Sequence, residues 1–220
     1  MSLRSIDWLA DSVCRWTPLP MVNEALVLPE AEATLVVDVA ERRRGHFIAG
    51  RVCARAALAE LGHVDAVIGR TADGAPSWPD GVTGSIAHCG DAAVAIAAST
   101  QHWAAFGIDI EIDRALPDDA AAYVLDEAQC ARLAELPGGL ARWALPAFSA
   151  KECVHKCLQP LRGLFLEFSE VEIVFSIDSD RYTVEAKSAR AQQAMAGFEW
   201  TGELRRFDGL LLSLLAARRL

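Results

Sequence analysis

Residues 148–160 read FSAKECVHKCLQP, which is the pattern of a capped helix that carries charged side chains. Ser149 is a favourable N-cap, Glu152 follows three residues later as in a capping box, and Pro160 is expected to end the helix. Glu152 and Lys156 are four residues apart, so they share one helical face. Taken alone, this would be a solvated surface pair, and the capping box would explain Glu152.

A pair of acidic residues lies earlier in the chain, in the sequence GIDIE at residues 107–111. The alternation of a strand places Asp109 and Glu111 on the same side. Carboxylates are the ligands that Mg²⁺ prefers, with water and substrate phosphate completing its shell. Together with Glu152, and with Lys156 one helical turn further on, these carboxylates predict a site for a divalent metal and a phosphate. Singly, each residue would be assigned a structural role.

The composition limits the classes of function. Of the 220 residues, 52% are hydrophobic, so the chain can form a substantial core as one large domain or as two domains of about 100 residues each. The formal net charge is −9, which argues against a nucleic-acid partner because such binding needs a basic surface. An acidic partner would have to meet a local basic or apolar surface.

The sequence carries no signal for export or for a membrane. The first 16 residues contain two acidic residues and two arginines and no continuous apolar core, unlike a secretory signal. No segment reaches the ~18 apolar residues of a spanning helix. We therefore expect a cytoplasmic protein that makes no membrane contact, and we expect a monomer.

The six cysteines predict reduced thiols and no disulfide framework, because their spacing contains no C-x-x-C motif. Cys153, His155 and Cys157 have the residue types of a zinc site. On a helix, however, His155 points away from the two cysteines, and no fourth ligand is evident. A zinc site is therefore disfavoured.

The N-terminal part predicts a strand over residues 34–39 and a helix over residues 41–61 with an apolar stripe. Arg44, Arg51 and Arg55 follow at i, i+7 and i+11, which places them near one line on another face of this helix. We predict that they meet an anionic ligand. The alternative is that they form a solvated charged face.

The middle of the chain predicts a loop and three strands. Residues 73–81 contain the turn signals GAP and WPDG. Residues 82–87 and 92–98 predict a β-hairpin with a turn at 88–91, and residues 103–112 predict a third strand. A meander of these strands would place the turn near one end of the sheet and the two carboxylates on the neighbouring strand.

The C-terminal part predicts a helix over residues 126–136 capped by Asp126, followed by the helix over residues 148–160. Two hairpins then follow, over residues 171–177 with 182–186 and residues 198–207 with 210–217. A helix followed by strands thus occurs on each side of about residue 100, which predicts an α+β fold with two similar α/β halves.

Four segments in this order resemble the Sfp type of 4'-phosphopantetheinyl transferases, nearest the branch of enterobactin synthase component D. The last two segments are the more specific. The segments are GRVCARAALAELG (50–62), GAPSWPDGVTGSIAHC (74–89), FGIDIE (106–111) and FSAKECVHK (148–156).

The resemblance implies a Mg²⁺-dependent enzyme that transfers the 4'-phosphopantetheine group of coenzyme A to a serine of an acyl or peptidyl carrier protein. Adenosine 3',5'-bisphosphate would be released. By the family pattern, Asp109, Glu111 and Glu152 hold the metal against the pyrophosphate. Lys156 contacts the phosphates, and Glu152 or a metal-held water accepts the serine proton. Siderophore or other nonribosomal peptide, polyketide and fatty-acid synthesis all use such carriers.

The resemblance also implies a pseudo-twofold fold with the active site in the cleft between the halves. Residues 1–103 would grip the nucleotide, and residues 104–220 would carry the metal and the catalytic residues. Arg51, Arg55 and His88 would face the phosphates of coenzyme A. The adenine would lie against Asp73 and the three residues that follow it, Gly74, Ala75 and Pro76.

The chain departs from the family pattern at two positions. Ala75 stands where many relatives have a lysine, and Ala87 stands where serine usually precedes the histidine. One cation and one hydroxyl group near the nucleotide are therefore missing. Neither change touches the predicted metal ligands.

Two other functions are compatible with the same residues. A Mg²⁺-dependent phosphodiesterase would use the same carboxylates with water as the acceptor. A non-catalytic subunit that binds coenzyme A or a carrier protein is the other alternative. The presence of all four predicted site residues, Asp109, Glu111, Glu152 and Lys156, argues against it.

Carrier proteins of this family's pathways tend to be acidic, so docking needs an apolar or basic surface near the site. Residues 116–146 connect the two site segments and are predicted to supply it. The alternative is that its apolar residues are ordinary core. The residues concerned are Tyr123, Val124, Leu125, Arg132, Leu133, Arg142 and Trp143.

Overall fold

The computed structural model describes residues 3–19, 28–37, 40–90 and 92–220. Within these residues the strands are β1 (Arg4–Ile6), β2 (Ser12–Pro18), β3 (Gly69–Arg70), β4 (Pro76–Ser77), β5 (Val82–His88), β6 (Ala92–Ser99), β7 (Ala105–Ile112), β8 (Val171–Phe175), β9 (Arg181–Ala186), β10 (Phe198–Phe207) and β11 (Leu210–Arg219). The helices are α1 (Glu30–Ala33), α2 (Glu41–Glu60), α3 (Asp118–Val124), α4 (Glu127–Glu135), α5 (Gly139–Arg162) and α6 (Ala189–Met195), with 3₁₀ turns at Thr34–Val36 and Phe168–Glu170.

The fold is α+β, with two antiparallel sheets that are each covered by a long helix. The first sheet has the order β1-β2-β6-β5, and α2 packs on its outer face. The second sheet has the order β7-β11-β10-β9-β8, and α5 packs on its outer face. The predicted α+β fold with two α/β halves is thereby confirmed.

The inner faces of the two sheets share one apolar core. Strand β11 shows how this core forms, because its side chains alternate between two buried environments. Leu212 and Leu214 face the first sheet, whereas Leu211 and Leu215 face α5. A strand buried on both faces reads as a continuous apolar run, which matches the sequence LLLSLLAA.

A glycine allows α5 to lie directly on the strand that carries the predicted carboxylates. A Cβ on Gly107 would stand only 1.9 Å from the carbonyl oxygen of Cys153. This approach fixes the helix against β7 at the level of the predicted site.

The predicted three-stranded meander is wrong. Strand β6 pairs with β2 and β5, whereas β7 pairs with β11 in the second sheet. The strands β5 and β7 still contact each other at the junction of the halves, where the Ile108 amide donates to Ser85 Oγ at 3.1 Å. Pairing with β11, about 100 residues away, buries β7 on both faces, and such a non-local pairing leaves no local sequence signal.

Two local predictions also fail. Thr34–Val36 forms a 3₁₀ turn, because it continues from α1 and Thr34 Oγ1 donates to the Ala31 carbonyl at 2.9 Å. The end of that predicted strand, residues 38–39, lies outside the described residues.

The second failure concerns the helix predicted over residues 148–160. Helix α5 begins nine residues before that stretch, at Gly139, so Ser149 lies inside it and no capping box forms. Pro146 is accommodated because the Arg142 carbonyl, deprived of its helical donor, accepts a hydrogen bond from Arg206 at 3.4 Å.

Other elements agree with the prediction. Helix α2 and the three hairpins occur where the sequence indicates them. Asp126 caps α4 by accepting the Gln129 amide at 2.8 Å. In the described part of the chain, every helix is too short or too polar to cross a membrane.

Candidate active site

A cleft of about 830 Å³ opens beside the junction of β5 and β7. One wall is a single face of α5, because its residues follow the helical spacing i, i+3, i+4 and i+7. The opposite wall is formed by the loop around β4 and by β5. The α5 residues are Glu152, His155, Lys156 and Gln159, and the facing residues include Asp73, Ala75, Pro76, Trp78, Thr83 and Ser85.

Lys156 lines the cleft and forms a hydrogen bond with Asp109, which lies outside the lining. Lys156 Nζ donates to Asp109 Oδ1 at 2.7 Å and to the Ile108 carbonyl at 2.9 Å. Ser149 Oγ donates to Asp109 Oδ2 at 2.7 Å. Burial disfavours the ammonium form of Lys156, but Asp109, Cys153 and Glu152 together outweigh that effect, and the pKa of Lys156 rises above its usual value. Lys156 therefore keeps its positive charge.

The environment of Glu111 disfavours its ionised form. Burial, the charge of Asp109 and the charge of Glu152 raise the pKa of Glu111 to about 7, while Lys156 acts in the opposite direction. Three carboxylates thus lie close together with a single lysine among them. Their mutual repulsion is the electrostatic condition that a divalent cation relieves.

The donor chemistry therefore suits Mg²⁺, whose preferred ligands are carboxylate oxygens. Across residues 3–19, 28–37, 40–90 and 92–220, however, no group of three or more His, Cys, Asp or Glu side chains is arranged to hold a metal ion. Both Asp109 oxygens accept protein hydrogen bonds. Metal binding by Asp109, Glu111 and Glu152 stays a prediction.

Two of the arginines in the predicted line on α2, Arg51 and Arg55, bond to the protein itself. Arg51 is buried, donates to the carbonyls of Ile68 and Gly69, and stacks on the Phe47 ring at 3.7 Å. Arg55 forms an ion pair with the buried Glu32.

His88 ends β5, and its ring stacks on His46 with centroids 4.8 Å apart. Burial, His46 and Lys156 lower the pKa of His88. The prediction that Arg51, Arg55 and His88 contact phosphates stays open.

The loop predicted to hold the adenine does form one wall of the cleft. Gly74 adopts a φ of 92°, which glycine allows without strain. The Thr71 amide donates to the Ala75 carbonyl at 2.9 Å, so the turn is closed. Asp73 accepts a hydrogen bond from Gln159 on α5, which joins the two walls.

The sequence analysis does not predict several residues of the site. His155 and Gln159 were not assigned to it, although the helical spacing from Glu152 would have found both. Ser149 was interpreted as an N-cap, whereas it orients Asp109. No sequence pattern indicates His46, because its ring stacks on His88 from a distant segment of the chain.

Most of the predicted docking residues belong to the core, so that part of the prediction is wrong. They are buried in the core around α5, because α3 and α4 pack their apolar sides on that helix. The residues concerned are Val124, Leu125, Leu133 and Trp143. Tyr123, in contrast, is 77% exposed, and its ring meets the edge of Phe168 at 5.9 Å. Phe165, which borders the cleft, is 59% exposed.

Comparison with known protein families gives two matches that together cover most of the chain. Residues 31–98 match the model of the 4'-phosphopantetheinyl transferase N-terminal domain. Residues 105–203 match the model of the 4'-phosphopantetheinyl transferase superfamily.

Two of the similar individual proteins carry the name of this family, and a third is named enterobactin synthase component D. The chain is 39% identical to 4'-phosphopantetheinyl transferase Svp of Streptomyces mobaraensis over 76% of the chain and 69% of the relative. It is 37% identical to 4'-phosphopantetheinyl transferase Npt of Nocardia iowensis over 70% and 69%. Enterobactin synthase component D of Salmonella typhi is 38% identical over 52% and 48%.

Among solved structures, an ACPS–CoA complex from Chronobacterium ammoniagenes aligns with 52% of the chain and 96% of that protein. The sequence identity is 17% and the TM-score is 0.41.

Proposed function

Because the chain belongs to the 4'-phosphopantetheinyl transferase superfamily, we propose that it transfers the 4'-phosphopantetheine group of coenzyme A to a serine hydroxyl of a carrier protein. The by-product would be adenosine 3',5'-bisphosphate. The observation that carries this proposal is the position of the charged Asp109–Lys156 pair, with Glu111 and Glu152, beside a cleft between the two halves.

In the proposed reaction the serine oxygen attacks the phosphorus that carries the pantetheine arm. The new bond joins the serine oxygen to this phosphorus, and the bond to the bridging oxygen of the pyrophosphate breaks. The leaving group departs as the 5'-phosphate of adenosine 3',5'-bisphosphate and keeps the electron pair. Glu152 lines the cleft and is the proposed acceptor of the serine proton.

Lys156 is proposed to stabilise the negative charge on the pyrophosphate. An ammonium group has three N–H donors, and Asp109 and the Ile108 carbonyl use two of them. The third remains for a phosphate oxygen. Ser149 and Asp109 hold the lysine in place, so its charge needs no rearrangement when the substrate binds.

Asp109, Glu111 and Glu152 are the proposed ligands of Mg²⁺. When bound, the metal would neutralise pyrophosphate oxygens and so favour departure of the leaving group. The support within the chain is that burial, together with the nearby charges of Asp109 and Glu152, raises the pKa of Glu111 to about 7. Phosphoryl transfer otherwise needs mainly positioning and charge stabilisation.

The second substrate is proposed to dock beside Tyr123 and Phe165. Both aromatic side chains are exposed, and Phe165 lies on the border of the cleft. The chain carries a net charge of −9, so long-range attraction to an acidic carrier is unfavourable. An apolar contact close to the site offers binding that does not depend on charge.

The proposal is tested by the intact mass of apo carrier proteins after incubation with the enzyme, coenzyme A and Mg²⁺. We expect a gain of one phosphopantetheine on the serine of the carrier and no gain on a Ser→Ala carrier. The Asp109→Ala enzyme should give no modification. If none of the acyl and peptidyl carriers gains mass, the proposed function is wrong.

A further inference from the structure

Ser213 carries a buried hydroxyl group that has no hydrogen-bond partner. The residue is fully buried on β11, and among the residues that the structure describes its Oγ meets neither a donor nor an acceptor. It interrupts the apolar sequence of this strand, LLLSLLAA. An unpaired hydroxyl group in the core destabilises the folded state, and an alanine would fill nearly the same space without that loss. The hydroxyl group therefore has no role in stabilising this form of the protein.

The position of Ser213 connects it with the candidate active site. Ser213 lies directly opposite Asp109 in the pairing of β11 with β7. Opposite residues of antiparallel strands project to the same face, with Cβ atoms about 4.5–5.5 Å apart. That face is the one covered by α5, since Leu211 and Leu215 pack there and Asp109 reaches Ser149. The unpaired hydroxyl group and the carboxylate are therefore neighbours.

Both donors that hold the Asp109 carboxylate come from α5. Lys156 Nζ donates to Oδ1 and Ser149 Oγ donates to Oδ2, each at 2.7 Å. An oxygen that accepts a hydrogen bond is less available to a cation, so Asp109 has to release a donor in order to act as a metal ligand. Hydrogen bonds from charged donors are roughly twice as strong as those from neutral donors. The neutral Ser149 is therefore the donor that Asp109 releases more readily.

We propose that Ser213 is a positioning residue for Asp109 as a metal ligand. When Asp109 turns Oδ2 away from Ser149 and towards a divalent cation, the Ser213 hydroxyl group rotates and donates to the carboxylate, while Oδ1 keeps its bond to Lys156. Carboxylates that bind a metal are themselves hydrogen-bonded, and those donors fix their orientation. The inference rests on the proposed function, because it takes Asp109 as a ligand of Mg²⁺.

The surroundings allow this exchange without a movement of the backbone. A serine hydroxyl group supplies one O–H donor and changes its direction by rotation about a single side-chain torsion. The Cys153 thiol, which lies beside it on α5, donates to the Ser213 carbonyl at 3.3 Å and is already used. The close contact of Gly107 with Cys153 fixes α5 on β7, so the two side chains turn between elements that stay in place.

The test measures the stability of the metal-free protein and its affinity for Mn²⁺, an ion that takes the same oxygen ligands as Mg²⁺. Thermal melting gives the Tm, and the electron paramagnetic resonance signal of the free ion gives the affinity for Mn²⁺ added alone. Ser213→Ala should raise the Tm by about 2 °C or more, because the unpaired hydroxyl group is gone. Its affinity for Mn²⁺ should fall by about 10–100-fold, the usual effect of removing a donor to a metal ligand.

Ser149→Ala is the matched control, because it removes the other serine hydroxyl group beside Asp109. It should lower the Tm, since it deletes a hydrogen bond of the metal-free protein, and it should not weaken Mn²⁺ binding. The two alanine variants thus differ from the wild type in opposite directions. A purely structural serine at position 213 would change the Tm without changing the affinity for Mn²⁺.

Three results would overturn the role of Ser213. They are a lower Tm in Ser213→Ala, an unchanged affinity of that variant for Mn²⁺, and a wild type that binds no Mn²⁺, which would also disprove the proposed metal ligands. The modification of carriers by the wild type is measured separately. If carriers are modified while Ser213→Ala binds Mn²⁺ like the wild type, only the role of Ser213 fails. If the predicted affinities are found but no carrier is modified, only the proposed transfer fails.

Discussion

Lys156 Nζ lies 2.7 Å from Asp109 Oδ1, so a charged hydrogen bond joins α5 to β7 in the candidate active site. The sequence pattern pairs Lys156 with Glu152 on one helical face. The structure instead turns the lysine towards the strand, where Asp109 is buried and held by Ser149. Lys156 therefore has a role in folding as well as a proposed role in binding phosphate.

Lys156→Met should both destabilise the protein and abolish transfer. Removing the lysine leaves the Asp109 carboxylate buried with Ser149 as its remaining side-chain partner, which should cost about 2–3 kcal/mol in the free energy of unfolding. This is below the cost for a fully buried pair because the Lys156 side chain is 28% exposed. Urea denaturation measures the change.

The double variant Asp109→Asn/Lys156→Met is the control for that experiment. Its cost should be clearly less than the sum of the two single costs, because each single change leaves a buried partner behind. Additive costs would show that the two side chains do not stabilise each other.

Glu111→Gln should stabilise the protein while it abolishes transfer. The pKa of Glu111 is about 7 in the folded state, above its value of 4.5 in the unfolded chain. Between pH 4.5 and 7 the folded state therefore binds more protons than the unfolded state. As the pH rises through this range, ionisation of Glu111 lowers the stability of the wild type. The glutamine side chain cannot ionise, so the variant does not lose this stability.

The stability difference between Glu111→Gln and the wild type should thus be near zero at pH 4 and reach about 1–3 kcal/mol at pH 8. Thermal melting at both pH values, without metal, measures it. A difference that is the same at pH 4 and pH 8 contradicts the raised pKa of Glu111, which burial and the charges of Asp109 and Glu152 produce.

Gly107→Ala should prevent stable folding. Its Cβ would stand 1.9 Å from the Cys153 carbonyl oxygen, so β7 and α5 would have to separate along their contact. We expect a loss above ~4 kcal/mol, in the range that only severe core disruption reaches. Gly45→Ala is the matched control, because a Cβ there meets nothing within 4 Å and alanine favours the helix by about 0.5–1 kcal/mol. A Gly107→Ala protein that melts like the wild type would contradict this packing.

Tyr123→Asp should raise the KM for the carrier protein about tenfold and leave the affinity for coenzyme A unchanged. Tyr123 is exposed and does not line the cleft, but its ring contacts Phe168, which in turn contacts the cleft residue His155. Steady-state kinetics at saturating coenzyme A measures this. Ile177→Asp, which changes another exposed apolar side chain, is the control and should leave the KM unchanged. Equal effects of the two substitutions would exclude Tyr123 from the docking surface.

Local sequence signals predicted the elements that local interactions determine. Turn residues marked the hairpins, and Asp126 marked the start of α4. The acidic pair on β7 was predicted to share one side of a strand, and the structure places Asp109 and Glu111 together near Glu152.

Distant contacts account for what the sequence could not predict. Strand β7 pairs with β11, and Lys156 bonds to Asp109 instead of the predicted Glu152. Both contacts join residues that are far apart in the chain. The start of α5 was missed because Ser149 has the pattern of an N-cap, whereas the helix begins at Gly139 and continues through Pro146, where Arg206 satisfies the freed carbonyl. The burial of Leu133 likewise depends on how α4 packs on α5.

The central claim is that this cleft transfers phosphopantetheine to a protein serine rather than to water. The most direct measurement counts adenosine 3',5'-bisphosphate released and carrier serines modified in the same reaction. The account predicts one bisphosphate for each modified serine, and no release in the absence of carrier. Release of bisphosphate while the carrier stays unmodified would show hydrolysis, and would contradict the account.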